Sequence, residues 1–213
     1  MTTVEVKARD AIVQWSRSLF ERGFTAGSSG NISVRVDGGY LCTPTNSCLG
    51  FLVPDRLSRL DEDGRHIDGD KPTKELPLHL AFYRNRPTAN AVVHLHSTYA
   101  TAISCLSTAD RGDAIAPITP YVVMRVGAVP ILPYFKPGSS DMVPELERIA
   151  PRHKAVLLAN HGPVVTGSSL ESAVFAAEEL EETAKLLILT QGMAVNRLSS
   201  ENIRELEANF NLG

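Results

Sequence analysis

The stretch Ala91-Val92-Val93-His94-Leu95-His96 decides how the rest of this chain is read. Val92, Val93 and Leu95 mark it as a buried strand, yet it carries two imidazoles at alternate positions, which a strand places on one face. Burying two polar rings without partners is costly. A metal ion would partner both. A second apolar run, Ala155-Val156-Leu157-Leu158-Ala159, reads as another buried strand and is followed by Asn160-His161-Gly162. The carboxyl ends of strands are where sites gather in α/β sheets. His161 is thereby the third candidate ligand. Glu75, at the start of a predicted helix, is the carboxylate candidate, either as a helix-start acid that complements the dipole or as a general acid/base and additional ligand.

Outward from these strands the pattern is mixed. Ala8, Ile12, Trp15 and Leu19 recur at helical spacing over 4–22, ending at Gly23. Strands are expected over 32–36 and 40–43, joined by the hairpin chemistry of Asp37-Gly38-Gly39. Further strands are expected near 57–60, 91–96, 128–132, 155–159 and 164–166. Helices are expected over 75–85, 98–106, 140–149, from a Ser168-Ser169-Leu170-Glu171 capping box to about Gly192, and over 200–209. Strands and helices alternate but hairpins are present, so the expectation is an α/β fold with a mixed central sheet covered by helices on both sides. No repeat or linker divides residues 1–213, and a single domain is expected.

Composition narrows the function classes. The chain has 213 residues, 43% hydrophobic and 21% charged, with a net charge of −3. There is no basic excess to suggest a nucleic-acid partner. No apolar run approaches the roughly 20 residues needed to span a bilayer, so no membrane role is expected. The N-terminal residues have no apolar signal-like core. Cys42, Cys48 and Cys105 show no metal or disulfide spacing, and reduced thiols suit a cytoplasmic protein. Of the other histidines, His66 and His153 read as solvated, and His79, four residues after Glu75, as a supporting or core residue.

Three loops offer anion chemistry. Gly27-Ser28-Ser29-Gly30-Asn31 and Thr43-Pro44-Thr45-Asn46-Ser47 are rich in hydroxyls and backbone donors. Lys71-Pro72-Thr73-Lys74-Glu75 places two cations and a hydroxyl at a helix start. By composition the first is an ordinary turn as readily as a phosphate loop, and the third is an anion site unless Lys71 and Lys74 are simply solvated.

The ordered set of Gly-Asn loop, Thr-Pro-Thr loop, helix-start Glu, His-x-His and Asn-His-Gly resembles the class II aldolase/adducin family over nearly the full length. The resemblance implies a class II aldolase-like, three-layer αβα fold. It implies one Zn²⁺ per subunit, with Mn²⁺ or Co²⁺ as substitutes, on His94, His96 and His161, with Glu75 as acid/base and weak fourth ligand. It gives substrate phosphate to Ser29, Gly30, Asn31, Thr43, Thr45 and Thr73. It also implies a homotetramer with sites at subunit interfaces, where Tyr121 of a neighbour assists proton transfer. Two positions depart from fuculose-phosphate-type aldolases: Thr73-Lys74 stands where Ser-Ser is usual, and Asn46 where Gly is usual. Lys74 would suit a substrate that carries a carboxylate as well as a phosphate. With Tyr134-Phe135-Lys136-Pro137-Gly138-Ser139, this makes the pattern most similar to the family's branch acting on 3-oxo-tetronate 4-phosphate. The expected reaction is decarboxylation to dihydroxyacetone phosphate and CO₂ through a metal-stabilised enediolate, in four-carbon sugar-acid catabolism. The alternatives are a sugar-phosphate aldolase or 4-epimerase of fuculose- or ribulose-phosphate type, and a non-catalytic adducin-like interaction module.

Overall fold

The computed structural model describes residues 2–210. Its strands are β1 (Asn31–Val36), β2 (Gly39–Cys42), β3 (Ser58–Leu60), β4 (His66–Asp68), β5 (Ala91–His94), β6 (Ile131–Leu132), β7 (Ala155–Leu158) and β8 (Gly162–Gly167). They form one sheet in the order β4-β3-β2-β1-β5-β8-β7-β6. All neighbours are antiparallel except β6 and β7.

The helices are α1 (Thr3–Glu21), α2 (Leu76–Asn85), α3 (Thr98–Cys105), α4 (Pro120–Arg125), α5 (Val143–Ile149), α6 (Leu170–Leu189) and α7 (Ser200–Asn209). Two apolar clusters cover opposite faces of the sheet. Val93, Leu157 and Val165 join Ile12 of α1, Ile103 of α3 and Leu180 of α6. Val92, Val156 and Val164 join Leu78 and Phe82 of α2 and Leu146 of α5. Adjacent strand residues thus enter different cores, as the two-residue period of a sheet buried on both sides requires. The expected mixed sheet with helices on both sides is what the chain forms.

Several local expectations are corrected. β5 ends at His94, so His96 lies beyond the strand. The predicted helix over 140–149 is a 3₁₀ turn, Ser140–Met142, followed by α5. The capping box of α6 is formed by Ser169 with Ser172, one residue later than read. Strand β4 and helix α4 were not anticipated. β4 is an exposed three-residue edge strand, and α4 is a six-residue helix within a Pro-rich segment. Neither is long enough to show a period.

Topology gathers the site. β5 and β7 each run antiparallel to β8, so their carboxyl ends share one edge of the sheet with the start of β8. β1 is antiparallel to β5 and brings Asn31 directly opposite His94. The end of β2 and the start of α2 reach the same edge through a bridge between Pro44 and Pro72.

Candidate metal centre and substrate cleft

His94 is fully buried on the α2 side of the sheet, the side that Val92 also faces. Its Nδ1 lies 2.8 Å from the Pro163 carbonyl. A carbonyl only accepts, so Nδ1 carries a proton and Nε2 is the nitrogen left for a metal. That Nε2 is 3.2 Å from His96 Nε2 and 3.3 Å from His161 Nε2, and those two are 3.1 Å apart. Glu75 closes the group, with Oε2 3.2 Å from His94 Nε2 and Oε1 3.4 Å from His161 Nε2.

Local backbone holds these groups in place. Asn160, at φ 56°, turns the chain so that His161 faces the cluster. Gly162 follows where a Cβ would lie 2.4 Å from the Leu95 carbonyl oxygen, so no other residue fits. Thr73 Oγ1 accepts a hydrogen bond from the Glu75 backbone N–H at 3.2 Å and fixes the entry to α2. Glu75 is the residue immediately before α2 and its side chain does not cap that helix. It points into the histidine cluster instead. Among the described residues its buried Oε1 has no hydrogen-bond partner.

The electrostatics match this arrangement. Burial pushes the Glu75 pKa up, but the charge and hydrogen bond of His94, the Asn31 amide and His161 outweigh it. The carboxyl is held well below its ordinary range. Burial first, then the neighbouring rings, lower His96 and His161 to about 4 against the pull of Glu75. His96 and His161 are therefore neutral at pH 7, the state that binds a metal.

Three ring nitrogens and one carboxylate, all within 4.8 Å of one another, suit a first-row divalent cation. Bonds of about 2.0–2.1 Å in a tetrahedron place ligand atoms roughly 3.3–3.4 Å apart. The three histidine nitrogens, 3.1–3.3 Å apart, lie close to that edge, and Glu75 reaches His94 with one oxygen and His161 with the other. The orphaned Oε1 and His94 Nε2 are the groups such an ion would satisfy.

Above the cluster opens a cleft of about 520 Å³. Of the residues singled out in the sequence, it is lined by Ser29, Gly30, Asn31, Thr45, Thr73, Lys74, Glu75, His96 and His161. Gly30, at φ 82°, approaches the His94 carbonyl so closely that a Cβ would stand 3.0 Å from it. Asn46 also lines the cleft and adopts φ 55°. Asn tolerates this left-handed conformation, which otherwise favours Gly.

Two expected residues lie elsewhere. Thr43 is wholly buried behind the cleft, where its hydroxyl accepts from the Ile32 N–H at 3.1 Å, so it braces the β1–β2 pair. Tyr121 is 55% exposed on α4, outside this cleft. The cleft also takes Thr101, Tyr134 and Asn160, which were not singled out individually. Asn160 and Tyr134 lay within motifs already quoted; Thr101 carries no signal, because nothing in its helical segment distinguishes it from core. Among the described residues no helix is long and apolar enough to cross a membrane.

Residues 10–188 match the model of the Class II Aldolase and Adducin N-terminal domain. The chain belongs to the class II aldolase and adducin family. A 3-oxo-tetronate 4-phosphate decarboxylase from Pectobacterium atrosepticum is 52% identical, over 95% of this chain and 93% of its own length. An L-fuculose phosphate aldolase from Methanococcus maripaludis is 36% identical, over 80% and 90%. Among solved structures, YgbL from Klebsiella pneumoniae superposes with a TM-score of 0.93. It is 48% identical over 96% of this chain and 100% of its own. The family's fold is thus built here with a complete cluster of candidate metal ligands.

Proposed function

We propose that this chain is a zinc-dependent carboxy-lyase that converts a 3-oxo-tetronate 4-phosphate to dihydroxyacetone phosphate and CO₂. The observation that carries this reading is one cleft lined by Glu75 and two histidines of the cluster, by residues of the donor-rich loops and by Lys74. Similarity at 52% identity to a decarboxylase of that substrate supports it.

The substrate is a β-keto acid. Its C1–C2 bond breaks with the electron pair flowing into the C3 carbonyl, and C2 then takes a proton. When bound, the metal would supply Lewis-acid polarisation at the substrate oxygens. The chain's own residues do the rest. Ser29, Gly30, Thr45 and the adjoining backbone N–H groups hold the phosphate, and Thr73 sets the position of Glu75. Lys74 attracts the carboxylate during binding. Glu75 handles the proton at C2, assisted by Tyr121 of the partner subunit in a cyclic homotetramer. The exposure of Tyr121 leaves it available to a neighbour.

The test is to incubate zinc-loaded protein with 3-oxo-tetronate 4-phosphate and, separately, with fuculose 1-phosphate. Equal release of CO₂ and dihydroxyacetone phosphate from the oxo-acid, lost in Glu75→Gln, is expected. Dihydroxyacetone phosphate from the sugar phosphate alone would make the chain an aldolase, like its relative from Methanococcus maripaludis, and would overturn the assignment to Lys74.

A further inference from the structure

Behind Glu75 runs a chain of buried polar side chains. Asn31 Nδ2 donates to Glu75 Oε2 at 2.8 Å. Asn31 Oδ1 is 2.5 Å from His79 Nε2. His79 Nδ1 is 2.7 Å from Ser33 Oγ, and Ser33 Oγ is 2.8 Å from the Tyr83 hydroxyl. None of Asn31, Ser33, His79 and Tyr83 is more than 6% exposed.

Every direction in this chain follows from its end. An ionised carboxylate only accepts, so the Asn31 amide NH₂ faces Glu75 and its oxygen faces His79. That oxygen only accepts, so His79 carries its proton on Nε2. Burial first, and then the charge of His94, lower the His79 pKa to about 3, so the ring is neutral and Nδ1 is an acceptor. Ser33 must donate to Nδ1, and Tyr83 must then donate to Ser33. Tyr83 is held in turn by stacking on Tyr40 at 4.7 Å and by the Arg35 guanidinium 5.0 Å from its ring centroid.

The two ends of an amide have nearly the same shape, so packing cannot choose between them; only donor and acceptor partners can. Flipped, Asn31 would present its oxygen to the Glu75 carboxylate, two acceptors face to face, and the carboxylate would lose the hydrogen bond that Asn31 donates. We propose that His79, locked as the Nε2–H tautomer by Ser33 and Tyr83, is a positioning residue that holds the Asn31 amide and so aims Glu75 at the metal and substrate. This rests on the reading of Glu75 as acid/base and ligand. It also reassigns the Asn31 side chain from the phosphate to the carboxylate. Partners that orient a metal's ligands typically change affinity or activity by about 10–100-fold when lost.

Long-range ¹H–¹⁵N correlation on histidine-labelled protein, metal-free and zinc-loaded, should show His79 neutral and protonated on Nε2 at pH 7. His79→Gln identifies its signals by their disappearance. An Nδ1–H tautomer or a charged ring would overturn the proposal. In Co²⁺-loaded protein, His79→Leu should shift the visible absorption bands and weaken Co²⁺ binding about 10–100-fold. It should lower kcat by a similar factor with KM within about twofold. His79→Gln, which can donate to Asn31 and accept from Ser33, should stay within about threefold of the parent. If His79→Leu does not fold, Ser33→Ala replaces it and should yield a mixture of His79 tautomers with a smaller Co²⁺ shift. A folded His79→Leu protein with the parent's spectrum, Co²⁺ affinity and kcat would reduce His79 to packing. Parent protein that shows the tautomer and the Co²⁺ effects but decarboxylates nothing would instead sink the proposed reaction and leave the positioning role standing.

Discussion

His79 and His94 are both fully buried, on neighbouring elements, and the protein treats them in opposite ways. Each nitrogen of His79 has a protein partner of the right kind. His94 has one such partner, Pro163, and its other nitrogen faces two rings and a carboxylate that cannot all satisfy it. Burial demands a partner for every polar atom. Where the protein supplies both, the histidine is a brace; where it withholds one, the gap has the shape of an ion.

The comparison is most sharply tested by removing the open end. His94→Ala, or stripping the metal with a chelator, should lower decarboxylation by roughly 10⁴-fold, the equivalent of several kcal/mol of lost polarisation. Metal analysis by mass spectrometry should show the variant depleted, and re-addition of zinc should restore only the chelated parent. Metal-free protein that keeps full turnover would break the contrast outright. Next in size is Glu75→Gln, expected to cost about 10²- to 10³-fold in kcat by removing the proton-transfer group while three histidines remain.

Glu181 offers the carboxylate counterpart of His79. It is 7% exposed, and its two oxygens accept the Tyr99 and Ala100 N–H groups at 2.9 and 2.8 Å, capping α3 just beyond His96. Glu181→Ala should destabilise the fold by about 1–3 kcal/mol in urea unfolding. Its zinc-saturated kcat should change far less than that of Glu75→Gln; the opposite ranking would refute the division into brace and open site. Lys74→Ser, at an exposed position on the cleft, should raise KM for the oxo-acid about three- to tenfold without altering urea unfolding. An unchanged KM would remove Lys74 from carboxylate recognition.

The smallest effect is one of pH. In metal-free protein His96 and His161 titrate near 4 when folded, against 6.5 when exposed. Between those values the unfolded chain binds more protons, so stability rises with pH across the window and falls on acidification from 6.5 towards 4. The depressed Glu75 adds a loss that begins as pH drops below its ordinary 4.5. Thermal melts of the metal-free protein across pH 4–7 should show this slope, and His161→Gln should flatten it.

Much of the candidate site is legible in the sequence. His94 and His96 stand out because two imidazoles interrupt an apolar run, His161 because it directly follows one, and Glu75 because it opens a predicted helix. The long elements were equally readable: α1, α6 and α7 fall close to their predicted ranges because several turns of periodicity average out local exceptions. Short elements failed for the converse reason. The limit of β5 at His94 is set by pairing with β1 and β8, and the last paired residue is not marked in its own sequence. The loop hydroxyls divide for a different reason. Thr43, Thr45 and Thr73 look alike in composition, yet Thr43 is turned inward to the β1 backbone and Thr45 lines the cleft.

From its residues alone this chain determined its class of fold, its core-forming periods and the identity of its candidate ligands, because each depends on residue type and spacing along one strand or helix. Only the tertiary structure decided which hydroxyls face the cleft, that Asn31 spends its amide on Glu75, and that His79 is a satisfied brace while His94 is left open. Those outcomes depend on donors and acceptors brought together from residues 44 to 69 positions apart, and no local pattern records which of them will meet.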